Sequence, residues 1–147
     1  MLSELTTNQK GAIAETAIVH HATRLGIEVY RPVAEGGRCD FVFAMGSTLL
    51  RVQCKWAVRR GTAIVVPCYS ARRARDRLVR TFYSPDEIDA FAAYCMDLDR
   101  CYFLPVDRFP GRSAIQLRLE PPLNNQRVGI NWASEFEFGA TLSGAGP

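Results

Sequence analysis

Two β-rich runs, residues 39–45 and 49–57, flank Gly46-Ser47, and this pairing constrains the fold more than any other feature of the chain. Gly-Ser is a turn signal, and two such runs so close in sequence close into an antiparallel hairpin. If Met45 pairs with Thr48, paired positions sum to 93 and Asp40 falls opposite Gln53. A four-residue loop on the same centre keeps this register. An odd-length loop breaks it, because a one-residue slip turns every side chain to the other face. Along the second run Leu50, Val52, Cys54 and Trp56 point one way, and Arg51, Gln53 and Lys55 the other. The hairpin thus predicts a carboxylate, an amide and an ammonium close together on one face of a sheet.

Buried and unliganded, those groups would be costly. Around a divalent cation they make sense, with Asp40 giving an anionic oxygen and Gln53 a neutral one. A hard ion such as Mg²⁺ prefers oxygen donors and keeps waters, which leaves room for phosphate and a nucleophilic water. Lys55 is a point charge able to hold that water or to stabilise charge developing on the phosphate. Glu15 precedes the sheet beside Gly11 and Ala12, where close approach of helix and sheet would bring its carboxylate over the same site. Plainer readings stand beside these. Glu15 can be a solvated helix residue, Asp40 a polar strand end, and Gln53 with Lys55 the wet face of an amphipathic strand.

The surrounding elements follow from periodicity. Ala14, Ala17, Ile18, Ala22 and Leu25 recur at helical spacing, and Gly26 supplies a stop, so a helix spans residues 7–25. Strands are expected over 28–33, 63–69, 101–106 and 115–119. Ser84-Pro85-Asp86-Glu87 has the form of a capping box with Pro in the first turn, which predicts a helix carrying Ile88, Phe91, Ala92 and Cys95. A short helix is expected within 129–136, and 142–147 as a tail after a single domain of residues 1–141. The order α-β-β-β-β-α-β argues a mixed α/β sheet packed with helices.

Five cysteines, an odd number without C-x-x-C spacing, exclude a zinc framework and favour reduced thiols. With no signal peptide and no apolar run of membrane-spanning length, the chain is expected to be soluble, cytoplasmic and free of any membrane contact. His20 and His21 read as surface or packing residues. A net charge of +3 is compatible with nucleic acid and does not demand it. The densest basic stretch holds Arg72, Arg73, Arg75, Arg77 and Arg80. Like-charge blocks are often only solvated surface, but beside a cation site that takes a phosphate they would engage the phosphate backbone of double-stranded DNA. Lys10, Arg38, Arg59 and Arg60 could extend that surface.

Taken together, Glu15, Cys39-Asp40 and Gln53-Cys54-Lys55 resemble the PD-(D/E)XK nuclease superfamily. The pattern is most similar to its group I intron-associated homing endonuclease branch, which has Q-x-K in place of (D/E)-x-K. Residues 83–91, Cys101-Tyr102-Phe103-Leu104-Pro105-Val106, Leu117-Arg118-Leu119 and Asn124-Asn125-Gln126 resemble the same branch, so the likeness covers nearly the whole chain. It implies a restriction-endonuclease-like fold with a four- or five-stranded mixed central sheet flanked by helices. It also implies Mg²⁺-dependent hydrolysis of DNA phosphodiester bonds, with Mn²⁺ able to substitute, and a homodimer or homotetramer associated with the nucleoid when bound to DNA. Glu15, Asp40, Gln53 and Lys55 would be catalytic. Asp40, Gln53, Glu15 and the main-chain carbonyl of Cys54 would hold the metal. Two departures matter: Cys39 replaces the usual proline, and Gln53 removes a negative charge. The alternatives are a Holliday-junction-resolvase-like enzyme and a non-catalytic DNA-binding module that keeps the fold.

Overall fold

The computed structural model describes residues 4–124 and 128–142. Helix α1 spans Thr7–Arg24 and opens on a capping box. The Gln9 N–H donates to Thr6 Oγ1 at 3.1 Å, and the Thr6 N–H donates back to Gln9 Oε1 at 2.8 Å. It stops at Gly26, whose φ of 83° is the left-handed value that glycine adopts without strain. Ala14, Ile18 and Ala22, four residues apart, form its buried stripe.

The strands are β1 (Glu28–Tyr30), β2 (Phe41–Met45), β3 (Thr48–Arg60), β4 (Ala63–Pro67), β5 (Tyr69–Ala74), β6 (Arg77–Phe82), β7 (Ala90–Cys95), β8 (Arg100–Pro105) and β9 (Ala114–Arg118). Met45 pairs with Thr48 and Phe41 with Val52, the register expected from the Gly46-Ser47 turn. Strands β1, β2, β3, β7 and β8 make a mixed sheet in which β3 and β7 run parallel. Strands β4 and β9 extend it from the far end of the long β3, to seven strands in all. Two short helices, α2 (Ala133–Phe136) and α3 (Phe138–Leu142), close the chain. They take the place of the single helix expected within 129–136. The expected tail lies outside the described residues except for Leu142, which is buried at the end of α3. Asn125 and Gln126 of the quoted motif also lie outside them.

One expectation is overturned. No helix follows Ser84; residues 90–95 are the parallel strand β7, buried along its whole length. Only half of the capping box forms: Glu87 Oε1 accepts from the Ser84 N–H at 3.1 Å, but the Glu87 N–H donates to the Ser84 carbonyl at 3.0 Å, and a single turn is closed. Asp89 then captures β3: its N–H donates to the Arg51 carbonyl at 2.9 Å, and its Oδ2 accepts from the Arg51 N–H at 2.7 Å. This starts strand pairing where a helix would have continued. A parallel strand covered on both faces reads as an unbroken apolar run, which periodicity does not separate from a buried helix.

Helix α1, with Phe138 and Leu142 of α3, covers one face of the sheet over Phe43, Val52, Ala92 and Phe103. The other face is closed by β4 and β9 themselves, whose Ile64, Val66, Ile115 and Leu117 share a core with Phe91, Tyr102 and Leu104. Strands β5 and β6 form a separate two-stranded sheet in the arginine-rich stretch. All five cysteines are unpaired. Among the described residues no helix is long and apolar enough to cross a membrane.

Candidate active site

Strand β2 stops pairing with β3 at Phe41–Val52, and β4 begins at Val58–Val65. Between them one side of β3 is left without a strand, and Asp40 occupies that gap. Its N–H donates to the Val52 carbonyl at 2.9 Å, and its Oδ2 accepts from the Cys54 N–H at 2.9 Å. The carboxylate thus stands where the next rung of the hairpin would be. The N–H and C=O of one strand residue point to the same edge, so the Cys54 carbonyl is also directed toward this gap.

Gln53 and Lys55 pair with Phe91 and Ala93 and share their face of the sheet, as the alternation of β3 requires. Glu15 comes from the opposite face, on α1, so Glu15 and Lys55 flank Asp40 from two sides. Asp40 acts electrostatically on both. Glu15, Asp40 and Gln53 line one cleft of about 470 Å³ with Asn8, Gly11 and Trp56. Gly11 does not serve a tight helix–sheet contact, as the sequence suggested. A Cβ there would meet nothing within 4 Å, and the glycine leaves the cleft wall open.

The electrostatics are those of a desolvated site. Burial raises the Asp40 carboxyl above its ordinary value, against the Cys54 N–H and the Lys55 and Arg31 charges that lower it. Burial also raises Glu15, and Asp40 raises it further. Lys55 is pushed down to about 8 by burial, although Asp40 opposes the shift. On both Asp40 and Lys55 desolvation outweighs their mutual attraction. The Lys55 ammonium rests against main chain, donating to the Tyr69 carbonyl at 2.6 Å and lying 4.9 Å from the Tyr83 ring centre. The Cys54 thiol is driven far up by burial and stays protonated, so only its main chain has donor chemistry here.

Gln53 Oε1 is buried and accepts no hydrogen bond. A buried amide oxygen is normally paired, and one left free is an oxygen donor in waiting. Among the described residues no three His, Cys, Asp or Glu side chains cluster as a metal site. The donors that line this cleft are the carboxylates of Glu15 and Asp40, with Gln53 and Cys54 beside them to offer an amide oxygen and a main-chain carbonyl. An all-oxygen, partly neutral set suits a hard cation such as Mg²⁺ or Mn²⁺ and lacks the nitrogen and sulfur ligands that zinc prefers.

Four other groups shape the site without having been assigned a part in it from sequence. Arg31 lies exposed beside Glu15 and Asp40 in an adjoining cleft, its guanidinium 5.1 Å from the Phe41 ring centre. Arg38, expected as open basic surface, is instead committed. It donates to Glu87 Oε2 at 2.8 Å, to the Phe82 carbonyl at 2.6 Å and to Ser70 Oγ at 3.2 Å, and it stacks on Tyr83. Arg51 and Asp89 are joined through two side-chain hydrogen bonds, at 3.2 and 3.1 Å. For Arg31, Arg38 and Arg51 the only sequence signal was closeness to Asp40 and Gln53; Asp89 gave none. His21 lies 3.9 Å from Asp99, with no contact to this cluster.

These donors, on this sheet, define a class of protein. The chain belongs to the PD-(D/E)XK endonuclease family, whose sequence model matches residues 5–139. Among solved structures it is similar to a bacterial homing endonuclease, I-Ssp6803I, at 27% identity over 90% of this chain and 89% of that one, with a TM-score of 0.71. No curated protein sequence gives a significant match.

Proposed function

We propose that this single-domain chain is a divalent-metal-dependent endonuclease of double-stranded DNA, with Mg²⁺ as its ordinary ion and Mn²⁺ as a substitute. The observation that carries the reading is the buried, unpartnered Oε1 of Gln53, a residue that lines one cleft with Asp40 and Glu15. Asp40, Gln53 and the Cys54 carbonyl would hold the ion, with Glu15 beside them. A hard cation bound there would polarise a phosphate and make water more acidic. Lys55, released from the Tyr69 carbonyl, orients the attacking water and offsets charge that builds on the phosphate. The water oxygen bonds to phosphorus as it gives up a proton to solvent, in line with the 3′ oxygen, which leaves with the bonding pair and takes up a proton. Arg72, Arg73, Arg75, Arg77 and Arg80, all exposed, form the DNA-binding surface.

The homing enzyme among the similar structures supports a sequence-selective enzyme over one that reads junction shape. One such site cuts one strand, so a double-strand break needs a homodimer or homotetramer. The protein would then act in the cytoplasm, on the nucleoid. The test is cleavage of supercoiled plasmid and of a four-way junction in Mg²⁺, Mn²⁺ or EDTA, beside Lys55→Ala. Metal-dependent nicking that falls at least about 100-fold in the variant, with DNA affinity retained, supports the assignment. Preference for the junction would move the enzyme to the resolvase-like alternative. DNA binding without cleavage or Mn²⁺ affinity would leave only a binding module.

A further inference from the structure

We propose that the β5–β6 ribbon enters the DNA major groove and reads base edges with the face that carries Arg72 and Arg77. The inference rests on the nuclease reading above and adds what selects the target. Residues paired across the ribbon share a face, so Ser70, Arg72 and Ala74 lie with Thr81, Val79 and Arg77. Tyr69, Ala71 and Arg73 lie with Phe82, Arg80 and Leu78 on the other.

Four observations carry it. First, the ribbon is a sheet of its own, and Leu78 and Phe82 on it are more than half exposed, at 56% and 53%. A lone two-stranded ribbon is marginal in water, yet its base is clamped beside the active site by Arg38 and by Lys55 on the Tyr69 carbonyl. Second, residues 72–80 hold five arginines against one acid, Asp76, and a two-stranded ribbon fits the major groove, roughly 12 Å wide. Third, the two faces differ. Arg80 lies 4.5 Å over the Tyr69 ring, which meets Phe82 edge-on, so that face packs on itself. The other has low relief: Arg72 stands opposite Val79 and Arg77 opposite Ala74, and neither guanidinium has a partner among the described residues. Its Ser70 accepts from Arg38, two residues before Asp40, which turns this face toward the catalytic end. Fourth, Arg75 at the tip has φ of 57°, a conformation costly to any residue with a Cβ. Strain of this kind collects at functional loops.

Arginine fits guanine O6 and N7 in a bidentate pair, so two diagonal arginines read two nearby guanines. Arg73, Arg75 and Arg80 are left for phosphates. The test is selection of bound duplexes from a random-sequence library in EDTA, for wild type, Arg72→Gln/Arg77→Gln and Arg73→Gln/Arg80→Gln. Each double variant removes two charges from an exposed ribbon, so each should lower the salt dependence of binding to random DNA by about two. Wild type should enrich a motif. Arg72→Gln/Arg77→Gln should lose its guanine positions, with discrimination falling on the order of tenfold or more at each, while the control pair keeps the motif. A motif that survives in Arg72→Gln/Arg77→Gln, or is lost in the control, would overturn the inference. So would wild-type protein that binds and cuts DNA without any motif, and that result would leave the nuclease reading standing. Wild-type protein that binds no DNA would bring down both.

Discussion

Consider replacing Gln53 by methionine. The amide oxygen is buried and accepts no hydrogen bond, and its residue lines a cleft with two carboxylates that burial has raised. A buried acceptor without a partner costs about 1–3 kcal/mol. Methionine has similar length and volume and no comparable acceptor, so the exchange removes that cost without opening a cavity. The residue is only part-buried and methionine also gives up the amide nitrogen, so the net gain should be about 1 kcal/mol. For a chain of this size that raises Tm by roughly 2–4 °C. Metal reverses the order. An ion that binds only the native state stabilises by about 2.7 kcal/mol at a hundred times its Kd, and the variant, short of one donor, gains less. Thermal melts of both proteins in EDTA and across a Mn²⁺ titration should therefore cross. A variant that melts below wild type in EDTA, or that gains as much from Mn²⁺, would show that this oxygen is not held in reserve for a metal.

Gly11→Ala should raise stability by about 1 kcal/mol, since a Cβ there meets nothing within 4 Å and alanine is the better helix former. A lowered melting temperature would mean that the cleft wall is tighter than it looks. Arg38→Ala unties both strands of the ribbon from Glu87 and Tyr83. Allowing for partial exposure, the loss is about 1–2 kcal/mol, and tryptic cutting within residues 72–80 should quicken roughly 5- to 30-fold; an unchanged rate would exclude Arg38 as the clamp. The hydrogen bond from Arg51 holds the Asp89 carboxyl below its ordinary value of 3.8. A depressed folded-state pKa contributes stability that is present above the unfolded value and lost as pH falls through the folded one. Urea midpoints from pH 5 down to 3 should therefore fall more steeply for wild type than for Asp89→Asn, and parallel curves would count against the staple.

The elements that could be read from sequence are those whose determinants are local. Gly46-Ser47 and the alternation on either side of it fix the β2–β3 register within a dozen residues, and the Thr6–Gln9 box with Gly26 bounds α1. What escaped is set by distant partners. Ser84 and Glu87 make the turn that begins a helix, but whether one follows depends on Asp89 finding Arg51, 38 residues earlier in the chain. Strand β7, Ala-Phe-Ala-Ala-Tyr-Cys, has no alternation to betray it because both of its faces are covered. The ribbon was missed for the opposite reason. Its turn is Arg75-Asp76 without the glycine or asparagine that marks a tight hairpin, and nothing packs on it to impose an apolar pattern.

The candidate site divides along the same line. Asp40, Gln53 and Lys55 were legible because one hairpin carries all three and its register is local. Glu15 was reached only through the closeness expected at Gly11 and through the resemblance, whereas it is the packing of α1 on the opposite face, not that glycine, that brings it to Asp40. The physical mark of the site lay beyond sequence altogether: an amide oxygen buried without a partner, a carboxyl raised and an amine lowered, gathered where β2 has ended and β4 has not begun. A chain selected for stability alone would fill that gap with apolar side chains or extend β2 by a rung. Each polar group kept there instead works against the folded state, and under the reading proposed above a cation bound after folding would relieve them together.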